Sequence, residues 1–391
     1  MIVQLFGAGF DNRGAQLMLW TAAQKLRELH PEVEIVVEAI RSSPSERASY
    51  DLRTLFPSLG LPKQKRAVRL ASTYDRLSRL LPTKLHRKYG LVRRCDVDAF
   101  IDISGYAFGD KWTLLNLREL DARLSVFARK GKPRILLPQM LGPFNEEPKR
   151  RAAEKAFSKA DLIYARDQTS LECVQALDCG PAEIQLAPDI TIFCDAKKTK
   201  PPLDGPYASL VPNARMLDKA AGTWGENYME ALVQAGQKIK SYDVQPIVVI
   251  HDIGQNDIKL GYELADRLEI PRERVYQPDD ALEIKQLLAQ GVMTIGSRFH
   301  ALVSSLSTGV PSIALGWAHK YEALLKDFGL PELCCHHTEG PDCTLKHIDR
   351  CMDPDRREQV VQTLQASKKH MRAENERMWS RVSEMLRVRC S

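Results

Sequence analysis

The sequence predicts an α/β protein made of two Rossmann-like αβα domains facing across a cleft. Three observations carry that prediction. Apolar runs of strand length recur along the chain, and each leads into a segment with helical spacing. The pattern stops at 194–206, "CDAKKTKPPLDGP", a lysine-bearing stretch with three prolines, and then restarts. The length, 391 residues, exceeds what one compact core usually holds.

The elements follow in order. "IVQLFGAG" is a buried-strand run, "FDNRG" a polar turn, and "AQLMLWTAAQKLREL" a helix by its apolar spacing. "VEIVVEAI" is a second strand, and "DAFIDISG" a third that ends on a glycine loop before the helix "WTLLNLRELDARLSVFARKG". "RILLPQML" precedes a helix from Glu146 to Lys159. "DLIYARD" then enters the helix "QTSLECVQAL", and "AEIQLAPDITIF" closes the first set. After the linker come the strands "YASLVPN", "QPIVVIHD", "VMTIGS" and "PSIALGW", with helices between them, the last being "KYEALLKDFG". A charged helix over roughly 354–388 turns Val360, Val361, Leu364 and Met371 to one face. The domains are read as 1–195 and 205–391, with the last helix able to pack back on the first. Ligands bind parallel sheets at the carboxyl ends of their strands, so the chemistry is expected there.

Composition narrows the class. The 44% hydrophobic and 27% charged content is that of a soluble globular protein. Its longest apolar runs fall far short of the ~20 residues that span a bilayer. The start "MIVQLFGAGF" lacks a basic n-region, which points to a cytoplasmic protein. Nine cysteines without any C-x-x-C argue against a disulfide framework and against a zinc site, so no metal is expected. "CCHH" at 334–337 reads as solvent-facing loop, with metal binding the alternative.

Net charge is only +6, but residues 63–94 carry eleven Lys/Arg against one Asp. Tyr74 and Tyr89 are the only aromatics there, which is too few for base stacking, so nucleic acid is not the expected partner. One or two amphipathic helices in this segment would hold the chain on the inner face of an anionic membrane. Otherwise they would pack on their own domain or on a second subunit of a homo-oligomer.

"GSRFHALVSSLSTGVPSIALGWAHKYEALLKDFG", residues 296–329, places Arg298 and His300 where a buried strand hands over to a helix. Backbone N–H groups at such a start attract an anion, with Ser297 beside them. An arginine adds a fork that grips carboxylate or phosphate, and a histidine two positions on can act as acid or base. A capped helix with its arginine paired to a neighbouring acid fits the same residues.

This stretch resembles the C-terminal signature of the polysaccharide pyruvyl transferase family at Arg298, His300, Ala301, Leu302, Gly309, Val310, Pro311, Lys320 and Gly329. Further matches run through the first half in the family's order. They are Asn12 and Gly14 in "DNRGAQLML", Asp110 closing "DISGYAFGD", and Pro138, Gln139, Gly142 and Pro143 in "LLPQMLGPF". Arg166, Asp167 and Ser170 in "YARDQTSLE", and Pro188 and Asp189 in "LAPDITIF", complete the set. Ser104 and Tyr106 stand where many relatives carry glycines, which implies a reshaped acceptor pocket. Trp317 replaces a tyrosine common before the lysine-bearing helix.

The resemblance implies a fold like that of GT-B glycosyltransferases. It implies transfer of pyruvate from phosphoenolpyruvate, the donor substrate, onto two hydroxyls of a sugar in a surface polysaccharide or its lipid-linked precursor, with no cofactor. In that scheme His300 is the general acid that protonates the vinyl carbon, and Arg298 clamps an anionic end of the donor. Arg215 or Arg166 supplies the second donor-binding cation, though an Arg166–Asp167 pair fits a structural role as well. On the acceptor side Asp110 serves as general base or as a helix N-cap. Asn12 and Gly14 shape a sugar- or phosphate-facing turn or satisfy local backbone. Asp189 is read as structural. The competing functions are a nucleotide-sugar glycosyltransferase on the same fold and a polyanion-binding non-enzyme.

Overall fold

The computed structural model describes residues 1–56, 83–195, 203–217, 224–225, 227–316 and 319–390. Most of the basic segment (63–82), part of the linker (196–202) and Trp317 lie outside the described residues. The chain forms two compact units. The first holds Met1–Asp11, Met18–Ile190 and Glu374–Ser391; the second holds Asn12–Leu17 and Thr191–Ala373.

The first unit carries β1 (Ile2–Phe6), β2 (Glu34–Val37), β3 (Arg53–Phe56), β4 (Leu91–Arg93), β5 (Ala99–Asp102), β6 (Arg134–Gln139), β7 (Leu162–Ala165) and β8 (Glu183–Leu186). They form one parallel sheet in the order β4-β3-β2-β1-β5-β6-β7-β8. Its helices are α1 (Arg13–Leu29), whose first turn counts with the second unit, then α2 (Pro44–Ser49), α3 (Thr83–Lys88), α4 (Leu114–Ala128), α5 (Glu147–Phe157) and α6 (Gln168–Gln175). The strands β5 and β7 are buried throughout, as a parallel sheet covered on both faces requires. That is why "AFID" and "LIYA" read as continuous apolar runs rather than alternating ones.

The second unit repeats the plan with six parallel strands. These are β9 (Tyr207–Val211), β10 (Gln245–Val249), β11 (Val275–Tyr276), β12 (Met293–Gly296), β13 (Ser312–Gly316) and β14 (Cys334–His336), in the order β11-β10-β9-β12-β13-β14. Between and after them run α7 (Asn227–Lys240), α8 (Gln255–Arg267), α9 (Ala281–Gln290), α10 (Phe299–Leu306), α11 (His319–Asp327), α12 (Gly340–Met352) and α13 (Pro354–Cys390). The larger of its buried clusters, around Leu210, Val248, Ile295 and Ile313, takes Val360, Leu364 and Met371 from α13. Further along the same helix, Met378, Trp379, Val382 and Leu386 sit in the core of the first unit. Among the described residues no helix is long and apolar enough to cross a membrane.

Three local expectations are corrected. Leu91–Arg93, expected within an amphipathic helix, is strand β4, because Leu91 and Val92 pair with Thr54 and Leu55 of β3. The CCHH stretch is not solvent-facing loop. Cys334 and Cys335 are buried in strand β14, held by pairing with Ala314 and Leu315. Cys335 is also bridged to Cys343, although the cysteine spacing argued against disulfides.

Candidate active site

In the second sheet β10 lies on one side of β9 and β12 on the other, so the chain's winding reverses between β9 and β12. Loops diverge at such a point and leave room for a ligand beyond the carboxyl ends. The loop after β9 bears Asn213 and Arg215, the loop after β12 bears Ser297 and Arg298, and His300 stands in the first turn of α10. The two strands approach closely there, since a Cβ on Gly296 would lie 2.5 Å from the Val211 carbonyl oxygen.

Asn213 ties the loops together. Its Nδ2 donates to the Ser297 carbonyl at 2.8 Å, and its own N–H donates to the Tyr228 hydroxyl at 3.0 Å. Tyr321 donates its hydroxyl to the same Ser297 carbonyl at 2.6 Å. Ser297 is therefore buried and contributes its backbone to this anchor. Arg215 sits on the turn Ala214–Leu217 with its side chain exposed, and its N–H donates to Asn213 Oδ1 at 3.1 Å.

Arg298 occupies the N-cap position of α10. Its Nη1 lies 2.8 Å from Asp252 Oδ2, and its Nη2 donates to Asp257 Oδ2. The other Asp257 oxygen accepts the Ala214 N–H at 2.9 Å. One guanidinium thus ties the end of β10 and the start of α8 to the loop after β12. The plain alternative, an arginine paired to neighbouring acids, is what the contacts of both Nη atoms describe. The Nε atom is buried and donates to none of the described residues.

The turn before α1 belongs to this site. Asn12 Oδ1 accepts the N–H groups of Gly14 at 2.8 Å and Ala15 at 3.2 Å, while its Nδ2 donates to Asp252 Oδ2 at 3.1 Å. The local-backbone role of Asn12 is thus present, together with a contact to a residue 240 positions away. Gly14 packs against His300: a Cβ on it would lie 2.2 Å from the imidazole Nδ1. Two widely separated parts of the sequence signature therefore meet in space.

His251 lies next to this group, at the end of β10, and is buried. Burial foremost, and then the positive charges of Arg298, His300 and Arg13, hold its imidazole well below the ordinary histidine value. His251, Asp252 and Asp257 were not singled out from the sequence. The signal was present in "IVVIHD", where an apolar strand ends abruptly on two polar residues.

Arg166 and Asp110 belong to the first unit. Arg166 Nη1 lies 3.1 Å from Asp189 Oδ2, and both side chains are buried, a structural pairing that agrees with the reading of Asp189. Asp167 caps α6 through the Ser170 N–H at 2.7 Å. Asp110 does not cap α4, whose N-cap is Thr113. Its carboxylate accepts the N–H groups of Asn145 at 2.8 Å and Glu146 at 3.3 Å, fastening the loop that enters α5.

The winding of the first sheet reverses between β1 and β5, where Gly7 and Ser104 face each other. Gly7 has φ +95°, and a Cβ there would lie 1.9 Å from Ser104 Oγ. Asp102 ends β5 and accepts from the Ser104 N–H at 2.9 Å, the Ser104 hydroxyl at 3.1 Å and Gln139 Nε2 at 3.1 Å. Burial pushes its carboxyl up to about 6 against those three hydrogen bonds.

The chain shares its architecture with sugar-nucleotide enzymes. UDP-GlcNAc 2-epimerase from Methanocaldococcus jannaschii superposes with a TM-score of 0.58 at 11% identity, covering 91% of this chain and 94% of that one. Anabaena HepE, in complex with UDP and glucose, gives 0.59 at 14% identity over 98% and 99%. At these identities the likeness shows the fold alone, and that fold is GT-B-like. The amylovoran biosynthesis protein AmsJ of Erwinia amylovora is 24% identical over 261 residues. That match spans 60% of this chain and 60% of the relative's length. A family model described as polysaccharide pyruvyl transferase matches residues 12–319, beginning at the Asn12 turn and running past the Arg298–His300 loop. The chain therefore belongs to the polysaccharide pyruvyl transferase family, a family of transferases.

Proposed function

We propose that this chain transfers pyruvate from phosphoenolpyruvate to two hydroxyls of one sugar, in an exopolysaccharide or its lipid-linked precursor, closing a cyclic ketal and releasing phosphate. The observation that carries the reading is the meeting of Asn12, Gly14, Arg298 and His300 at the winding reversal of the second sheet.

In this reaction His300, protonated, delivers its proton to the methylene carbon of the donor, and the carbon bearing the phosphate becomes oxocarbenium-like. One sugar hydroxyl adds there and loses its proton. The phosphate leaves, and the second hydroxyl replaces it. Arg298 and Asp252 hold the loop that aims His300, and Gly14 sets the gap beside the ring. The partly exposed Arg298 and the exposed Arg215 are the cations offered to the carboxylate and phosphate of the substrate. Arg166, paired with Asp189, has a structural role in this scheme.

The test is phosphate release from phosphoenolpyruvate, followed against a panel of lipid-linked and nitrophenyl glycosides. Acceptor-dependent release is expected, with the product gaining the mass of one pyruvic acid less one water. Turnover of a UDP- or GDP-sugar with phosphoenolpyruvate untouched would overturn the proposal in favour of a glycosyltransferase.

A further inference from the structure

Cys335, Cys343 and His347 come together at the edge of the second sheet, away from the residues assigned above. Cys335 lies in the edge strand β14 and is fully buried. Cys343 and His347 are four residues apart in α12, so they share a helix face with the buried Ile348 and Cys351. The ligand atoms of the three side chains all lie within 4.8 Å of one another. The two cysteines are bridged, with Cα atoms 5.9 Å apart, whereas Cys95, Cys173, Cys179, Cys194, Cys334 and Cys351 are free thiols.

The histidine is the second observation. His347 is only 8% exposed, and its Nδ1 is buried with no hydrogen-bond partner among the described residues. A buried imidazole nitrogen normally finds a partner, because leaving it bare costs the full desolvation of that group. A buried imidazole with one bare nitrogen, and with a ring nitrogen within 4.8 Å of two sulfurs, has the composition of a soft divalent metal site.

We propose that Cys335, Cys343 and His347 form a redox-gated site for one zinc ion, which staples the edge strand β14 to α12. In the oxidised chain the sulfurs are joined and cannot both ligate. A dithiol reductant breaks the S–S bond, supplying two electrons and two protons, and is itself oxidised to a disulfide. Zinc then displaces the two thiol protons and takes two thiolates and one imidazole, leaving its fourth position to water. Neither the disulfide nor the metal was expected from the cysteine spacing, because the ligands are drawn from a strand and a helix rather than from one C-x-x-C turn.

The test uses the full chain. Protein reduced with a phosphine, stripped with chelator and desalted without oxygen is titrated with Co2+ and then Zn2+, alongside protein oxidised with diamide. The expected result is one tight cobalt site per reduced chain, with thiolate-to-cobalt charge-transfer absorption that zinc abolishes. The oxidised chain should show none. Cys343→Ser and His347→Gln should weaken zinc binding by more than about tenfold, the smaller loss that outer-shell partners alone produce. Circular dichroism of both variants checks that they are folded. Equal metal uptake by reduced wild type and both folded variants, or no uptake by reduced wild type, would overturn the proposal and leave a plain structural disulfide. Phosphate release from phosphoenolpyruvate plays no part in this readout, so its outcome is separate from that of the proposed transfer.

Discussion

Arg298 and Asp252 form an ion pair at 2.8 Å, and the same Asp252 oxygen accepts a hydrogen bond from Asn12 at 3.1 Å. One carboxylate thus joins the opening turn of the family signature to its closing arginine. This relationship makes Arg298 a strut of the site as well as the proposed clamp on the donor.

Replacing Arg298 by alanine should therefore cost stability as well as activity. Its side chain is 15% exposed, and its loss leaves Asp252 and Asp257 facing each other without a cation. Breaking a largely buried pair in this way costs about 3–5 kcal/mol. Urea melts should show the loss, and Arg298→Ala combined with Asp257→Asn should recover part of it. A double variant no more stable than the single one would show that the two residues are not coupled.

Gly14→Ala should disable the site without unfolding the chain. The added methyl would sit 2.2 Å from His300 Nδ1, so the ring has to move. Misplacing a reacting group by about 1 Å costs on the order of a hundredfold in rate. Wild-type phosphate release in a folded Gly14→Ala protein would separate His300 from the chemistry.

His300→Ala should lower turnover by about 10²–10⁴, the usual contribution of a positioned general acid. Under saturating donor the fall should appear in kcat. A change in the donor's KM alone would make His300 a binding residue instead.

The pH dependence of stability should carry a contribution from His251. Its imidazole is held below the ordinary value of 6.5 in the folded chain, so the unfolded chain takes up a proton first as the pH falls. Its contribution is full above about pH 6.5 and declines below it. His251→Asn should flatten the drop in Tm between about pH 7 and pH 5 relative to wild type. Superimposable Tm profiles would contradict this.

Asp102 should act in the opposite sense. Its folded carboxyl is raised to about 6 from 3.8, so the folded chain holds the proton more tightly. Its contribution is full below about 3.8 and is lost as the pH rises through about 6, a change on the order of 3 kcal/mol. Asp102→Asn keeps an acceptor for the Ser104 N–H and should remove that slope from urea midpoints measured between about pH 4 and pH 6.5. An unchanged slope would assign it to other groups.

The sequence by itself determined the two α/β sets, the interrupted pattern between them and the strand-to-helix site of Arg298 and His300. Buried parallel strands and amphipathic helices write their periods directly into apolar spacing. It did not disclose β3, β4 or β14, which are short strands whose identity depends on a neighbour to pair with. Only the tertiary structure decided that Gly14 abuts His300, that Asp252 and Asp257 hold Arg298, and that Cys335 and Cys343 lie beside His347. These are contacts across tens to hundreds of residues, or between a strand and a helix. The packing of the folded chain sets their partners, and no local spacing encodes it.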